Sequence, residues 1–117
     1  MVFRVKDYSG VNVILSEVTW FKKLQDPIFG HPEVKPFLLN IKSTIKNPEI
    51  VYQSTRDKSS KLLYTEITKG TFSSYFLVVV VKYVKERKKT VGHVSTVMIN
   101  RGVPKKSKII WEREVST

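Results

Sequence analysis

Tyr75-Phe76-Leu77-Val78-Val79-Val80-Val81-Lys82-Tyr83-Val84 is the stretch on which the fold turns. Branched and aromatic residues favour a pleated strand, and this run is apolar on both faces, so it belongs in the middle of a sheet with helices across one side. Its apolar part, residues 76–81, falls far short of the roughly 18 residues that a membrane helix needs. Residues 50–54, 61–68 and 90–99 share its composition, and polar stretches at 57–60, 69–74 and 85–89 separate them. The pattern predicts four strands in an antiparallel meander, followed by a basic loop over 101–108 and a short closing strand over 109–111.

Upstream the period changes. Ser16 can cap a helix that places Trp20, Phe21 and Leu24 on one face, with Asp26 and Pro27 ending it. Pro36 suits a first helical turn; Phe37, Leu38, Ile41 and Ile45 then repeat at helical spacing until Asn47 and Pro48. Residues 1–5 and 11–15 read as a small opening strand or hairpin around Asp7, Ser9 and Gly10. The expected fold class is therefore α+β, with N-terminal helices packed on a four-stranded antiparallel β-meander. One domain is expected over residues 1–117, which is too short for two ordinary cores.

The chain carries a formal charge of +11, unevenly placed. Between Lys82 and Lys108 stand Lys82, Lys85, Arg87, Lys88, Lys89, Arg101, Lys105, Lys106 and Lys108 against the single acid Glu86. Solvated faces usually interleave both signs, so this field points to a polyanion, with nucleic acid ranked above an anionic membrane or an acidic protein. Cysteine is absent, which excludes disulfides and thiolate metal sites and fits a reducing compartment. His31 and His93 are the only histidines and show no zinc- or calcium-type spacing, so neither a metal nor a cofactor is expected. Arg4 and Lys6 are followed by Asp7, Ser9 and Gly10 rather than by an apolar signal core, so the expected location is cytoplasmic, without membrane contact.

Two histidines limit where proton transfer can occur. Cleaving RNA without a metal needs a base for the ribose 2′-hydroxyl, an acid for the leaving 5′-oxygen and cations for the charged phosphorane. His31 stands at the head of the Pro32-Glu33-Val34 turn, where Glu33 can tune it; a histidine in that place also serves simply as a cap. His93 lies in a strand pattern that puts it with Ser95 and Val97 on one face and Val94, Thr96 and Met98 on the other, and reads as a partly exposed strand residue. Arg56 in a turn and Arg101 at the start of the basic loop carry the fork that suits phosphate oxygens. Lys88, Lys89, Lys105, Lys106 and Lys108 are candidate phosphate contacts beside them. Tyr52, Tyr64, Tyr75 and Tyr83 can stack on bases, although strand aromatics more often pack against one another.

Taken in order, Trp20 to Leu24, His31-Pro32-Glu33-Val34, Pro36, Ile45, Asn47-Pro48-Glu49, Val51-Tyr52, Leu63-Tyr64, the valine run with Lys82, Thr96, Lys105 or Lys106, and Ile110-Trp111 resemble the phage-associated nucleases of the Barnase, EndoU, colicin and RelE superfamily. The similarity spans about residues 13–111. It implies a metal-independent endoribonuclease, toxin-like, that cleaves by 2′-hydroxyl attack, with an acidic antitoxin or immunity protein as a partner beside RNA. The positions it implicates are His31 for proton transfer, Arg56 and Lys82 at the phosphate, and Tyr64 and Thr96 at the ribose or base. The chain departs from the pattern at Met98, where relatives carry tyrosine, and at Asn100 and Arg101, where they carry threonine and aspartate. A catalytically inactive nucleic-acid-binding or protein-interaction module on the same fold is the alternative.

Overall fold

The computed structural model describes residues 1–105 and 107–114, and in it the valine run is β5, Phe76–Glu86, the middle strand of seven. The others are β1 (Phe3–Lys6), β2 (Asn12–Leu15), β3 (Ile50–Gln53), β4 (Ser60–Glu66), β6 (Lys89–Asn100) and β7 (Ile109–Glu112), in the sheet order β1-β2-β6-β5-β4-β3-β7. The expected α+β architecture of helices on a four-stranded antiparallel meander is thereby corrected to a predominantly β fold around a mixed sheet. Strands β3 to β6 pair antiparallel in chain order, but β2 joins β6 in parallel, β1 extends that edge, and β7 pairs with β3 at the other.

The helical content is smaller than expected for a reason visible in the prolines. Pro27, Pro32, Pro36 and Pro48 cannot donate to a helical ladder, so long helices cannot form between them. One wound turn spans Val18–Leu24, a tight turn spans Pro32–Phe37, and a single α-helix, α1, spans Leu38–Lys46. Ser16 accepts a hydrogen bond from the Thr19 N–H at the first of these. Trp20 and Leu24 turn inward there, whereas Phe21, expected on their face, is 63% exposed.

The two faces of the sheet are unequal. Toward the helices, Ile41 and Ile45 of α1 and Val34 of the tight turn pack on Val51, Leu63, Leu77, Val79, Val81 and Val97, all fully buried. Each such side chain contributes about 1.5–3 kcal/mol of burial. The parallel β2 seats Val13 and Leu15 in the same core, and it can do so because residue 92 is glycine. A Cβ there would stand 2.8 Å from Val13 Cγ2 and 2.8 Å from Val81 Cγ1.

Among the described residues, no helix covers the opposite face, yet Tyr52, Tyr64 and Val78 are buried on it. The β6–β7 connection places Val103, Pro104 and Ser107 beside them. It leaves β6 at Asn100, beside the start of β5, and reaches β7 at Ile109, beside the far end of β3. Crossing four strand spacings takes about 19 Å. Eight residues span at most about 27 Å, so the connection has the length to cross the face.

The β5–β6 hairpin is the longest element. β4 follows β5 only as far as Lys82, and β2 meets β6 only at Val91 to His93, so the end of the hairpin extends past its neighbours. Its two-residue turn holds Arg87 at φ 52° and Lys88 at φ 71°. That turn demands left-handed backbone, ordinarily supplied by Asn-Gly. Each non-glycine residue there costs roughly 1 kcal/mol. Among the described residues, no helix is long and apolar enough to cross a membrane.

Candidate functional site

A bulge in β6 decides what the open face carries. Val80 pairs with Thr96 and Val81 with Val94, leaving Ser95 as an extra residue between them. Its hydroxyl donates to the Val80 carbonyl, and its own carbonyl accepts from Lys23 Nζ. The alternation expected along this strand therefore fails at residue 95. Val94 and Val97 both enter the core, while His93, Thr96 and Met98 come to the open face with their partners Lys82, Val80 and Val78.

Three of the residues singled out from the sequence meet there. Arg56, Tyr64 and Thr96 line one cleft of about 390 Å³, floored by Leu62, Val80 and Met98 and walled by Pro104 and Ser107 of the crossing loop. Arg56 is positioned by its turn: Ser54 Oγ accepts from the Arg56 and Asp57 N–H groups, and Asp57 accepts from the Ser59 N–H and the Ser60 hydroxyl. These bonds, with the Lys82 charge behind them, hold the Asp57 carboxyl below the usual carboxylate range. Lys82 Nζ lies 3.5 Å from Asp57 Oδ2, which ties the Arg56 turn to β5.

Tyr64 is 2% exposed. It packs edge-on against Tyr52 at 5.2 Å and Phe76 at 6.1 Å. Burial pushes its hydroxyl above the ordinary tyrosine value, and a hydrogen bond with the Asn100 side chain partly offsets this. On the other side of the crossing loop, Val103 closes a second cleft of about 670 Å³ over Ile50, Tyr52, Tyr64 and Phe76.

His31 is not brought to this cleft. It heads the turn whose Val34 is sealed in the helix-side core, and its N–H donates to the Leu24 carbonyl. Its ring Nδ1 lies 3.5 Å from Glu33 Oε2. The approach to it is rigid: Asp26 Oδ1 accepts from the Ile28 and Phe29 N–H groups, and a Cβ on Gly30 would stand 2.3 Å from the Lys23 carbonyl oxygen. The histidine that does share the cleft's face is His93. Its ring Nε2 lies 2.7 Å from Glu86 Oε2, and Lys82 is its cross-strand partner. Strict strand alternation hid this residue, and the bulge carries no local sequence signal that would have recovered it.

The cations divide into two groups. Arg101 Nε donates to the Tyr75 hydroxyl, and its guanidinium lies over that ring, at the start of the crossing loop. Lys105 and Lys108 are exposed further along it, and Lys106 lies outside the described residues. Lys88 and Lys89 are at the hairpin tip, away from the cleft. Among the described residues, no three His, Asp or Glu side chains gather as a metal site would require. No family model, curated protein or solved structure matches this chain.

Proposed function

We propose that this protein cleaves RNA without a metal ion, on the open face of the sheet. The observation that carries the reading is the meeting of Arg56, Tyr64 and Thr96 in one cleft beneath a basic loop, with Lys82 on the same face. In this reaction the ribose 2′-oxygen attacks phosphorus and the bond to the 5′-oxygen breaks, leaving a 2′,3′-cyclic phosphate and a 5′-hydroxyl. One proton leaves the 2′-oxygen and one reaches the 5′-oxygen. Arg56 and Lys82 serve the phosphate, because two fixed cations neutralise the charge that builds on the phosphorane. Tyr64 and Thr96 position the sugar or base.

For proton transfer, the shared face favours His93, held by Glu86 beside Lys82, while the nuclease resemblance favours His31. Incubating the protein with end-labelled RNA in EDTA, next to His31→Ala and His93→Ala, separates the two. Loss in His93→Ala alone assigns the step to the open face; loss in His31→Ala alone moves it to the helix-side turn. Equal cleavage by all three proteins refutes a histidine mechanism.

Met98 in the cleft, where the resembled nucleases carry tyrosine, favours a second reading: an RNA-binding module that has lost catalysis. Binding without cleavage across varied RNAs supports that reading. An acidic antitoxin or immunity protein remains the partner proposed for the charge-rich surface, and co-purification with an acidic protein tests it.

A further inference from the structure

The β5–β6 hairpin tip is built against its own stability. Arg87 and Lys88 both sit in left-handed backbone, where a two-residue turn ordinarily takes Asn-Gly. Around them Lys85 and Lys89 add like charge at close quarters, and residues 85–90 are all exposed. The single acid, Glu86, pairs across the hairpin with Lys89 and has its carboxylate 2.7 Å from His93 Nε2, so the tip keeps a net positive charge. Left-handed backbone at residues other than glycine clusters at ligand-binding and switch regions, and like charges gathered at an exposed turn attract an anion.

We propose that the hairpin tip is an RNA-binding arm, a second phosphate site beyond the cleft that grips the strand leaving it. The inference rests on RNA being the ligand of the open face. Val80 lines the cleft, Lys82 follows two residues on, and the tip begins three residues later at Lys85, on the same strand. Seven residues of strand from Val80 to Arg87 correspond to about 23 Å, so a chain seated at Thr96 reaches the tip only after several nucleotides.

The chemistry of the tip selects phosphate over other anionic partners. Residues 85–90 read Lys-Glu-Arg-Lys-Lys-Thr and contain no apolar or aromatic anchor. At a membrane surface cations alone contribute only about 1 kcal/mol each, and firm attachment adds apolar side chains. Protein interfaces draw their energy from buried aromatic and aliphatic anchors. A phosphate backbone needs cations alone.

The test uses two double variants of the whole chain. Arg87→Gln with Lys88→Gln removes the charges and keeps the strain; Arg87→Asn with Lys88→Gly removes both. Affinity is measured against salt for a long labelled 2′-O-methyl oligoribonucleotide, which lacks the attacking hydroxyl, and for a dinucleotide that fills only the cleft. Both variants should lower the slope of log affinity on log salt by about 1.4 for the long strand, close to 0.7 for each lost phosphate contact. The dinucleotide affinity should be unchanged in both. The Asn-Gly variant should melt about 5 °C above the Gln-Gln variant, because only it relieves the turn. Unchanged slopes in variants of a protein that does bind the long strand overturn the arm alone. So does equal melting of the two variants, or, when phosphatidylserine vesicles are run as a third ligand, a loss of binding confined to them. Failure of the unaltered protein to bind the long strand overturns the RNA reading as well.

Discussion

Tyr64 can be a packing residue or a participant in chemistry, and two substitutions tell these apart. Tyr64→Ala empties a site that is 2% exposed and wedged between Tyr52 and Phe76, and truncations of large buried aromatics cost about 3–5 kcal/mol. Against a total stability of about 5–15 kcal/mol, that loss alone can abolish activity and so says nothing about mechanism. Tyr64→Phe keeps the edge-on packing and removes only the hydroxyl and its bond with Asn100, a cost of about 1 kcal/mol or some 4 °C in melting temperature. Because burial holds this hydroxyl above the usual tyrosine value near 10, it stays protonated at neutral pH and is poorly matched to proton exchange there. In the proposed reaction it therefore positions, and cleavage of RNA by Tyr64→Phe should fall by no more than about tenfold, equivalent to 1.4 kcal/mol. The raised value has a second consequence. The neutral phenol's contribution to stability is fully present below pH 10 and is lost as pH rises through the higher folded value, so the phenylalanine variant should unfold less steeply in alkali. The assay is single-turnover cleavage alongside thermal melting at pH 7 and above pH 10. A hundredfold loss of cleavage with a melting shift of only a few degrees would refute the positioning argument, and an unchanged alkaline slope would refute the burial argument.

Other consequences can be measured independently. Asp57, held below the usual carboxylate range chiefly by the Ser59 N–H and the Ser60 hydroxyl, contributes stability that is present above that range and lost as pH falls through the depressed value. The Arg56 turn should therefore loosen in acid, seen as backbone amide shifts of residues 54–60, and Asp57→Ala should show the loosened shifts at pH 7. Tyr83 donates to the buried Asp7 Oδ2, whose other oxygen accepts from the Ser9 N–H, the Ser9 hydroxyl and the Val11 N–H. Tyr83→Phe should cost about 1–3 kcal/mol in denaturant titrations, since it leaves a buried carboxylate oxygen without its donor. Gly92→Ala places a Cβ against Val13 and Val81, so overpacking of about 1–3 kcal/mol is expected. Hydrogen exchange should quicken in β1 and β2 while β3 to β5 stay protected; uniform quickening would show that the parallel strand is not held by this contact.

What was readable in the sequence follows the range of each interaction. The strands from residue 50 to residue 100 announce themselves because branched residues alternate with polar turns, and each pairs with its immediate neighbour in the chain. The parallel pairing of β2 with β6 joins residues 12–14 to 91–93, and four residues of strand carry no local sign of so distant a partner. The helices were overestimated because helical spacing of Trp20, Phe21 and Leu24 registers before the prolines that cut the segment short. Of the candidate residues named from the sequence, Arg56, Tyr64 and Thr96 share one cleft. The histidine geometry was not, because one bulged residue moves His93 across the sheet while the turn at Pro32 keeps His31 on the helix side.

The unequal faces explain why the same loop is basic and also covers the core. A sheet apolar on both sides must hide both, and the helices reach only one. The connection between β6 and β7 places Val103, Pro104 and Ser107 on that other face. Val103 and Pro104 stand over the face, and Lys105 and Lys108 are exposed beside them, where the proposed RNA ligand would meet their charge. Tyr64 lies beneath and touches both clefts. Val103 is 42% exposed, so Val103→Ala should cost at most about 1 kcal/mol in denaturant titrations. Lys105→Ala with Lys108→Ala should weaken salt-dependent RNA binding at unchanged stability, and an unchanged salt slope would remove the loop from the proposed interface.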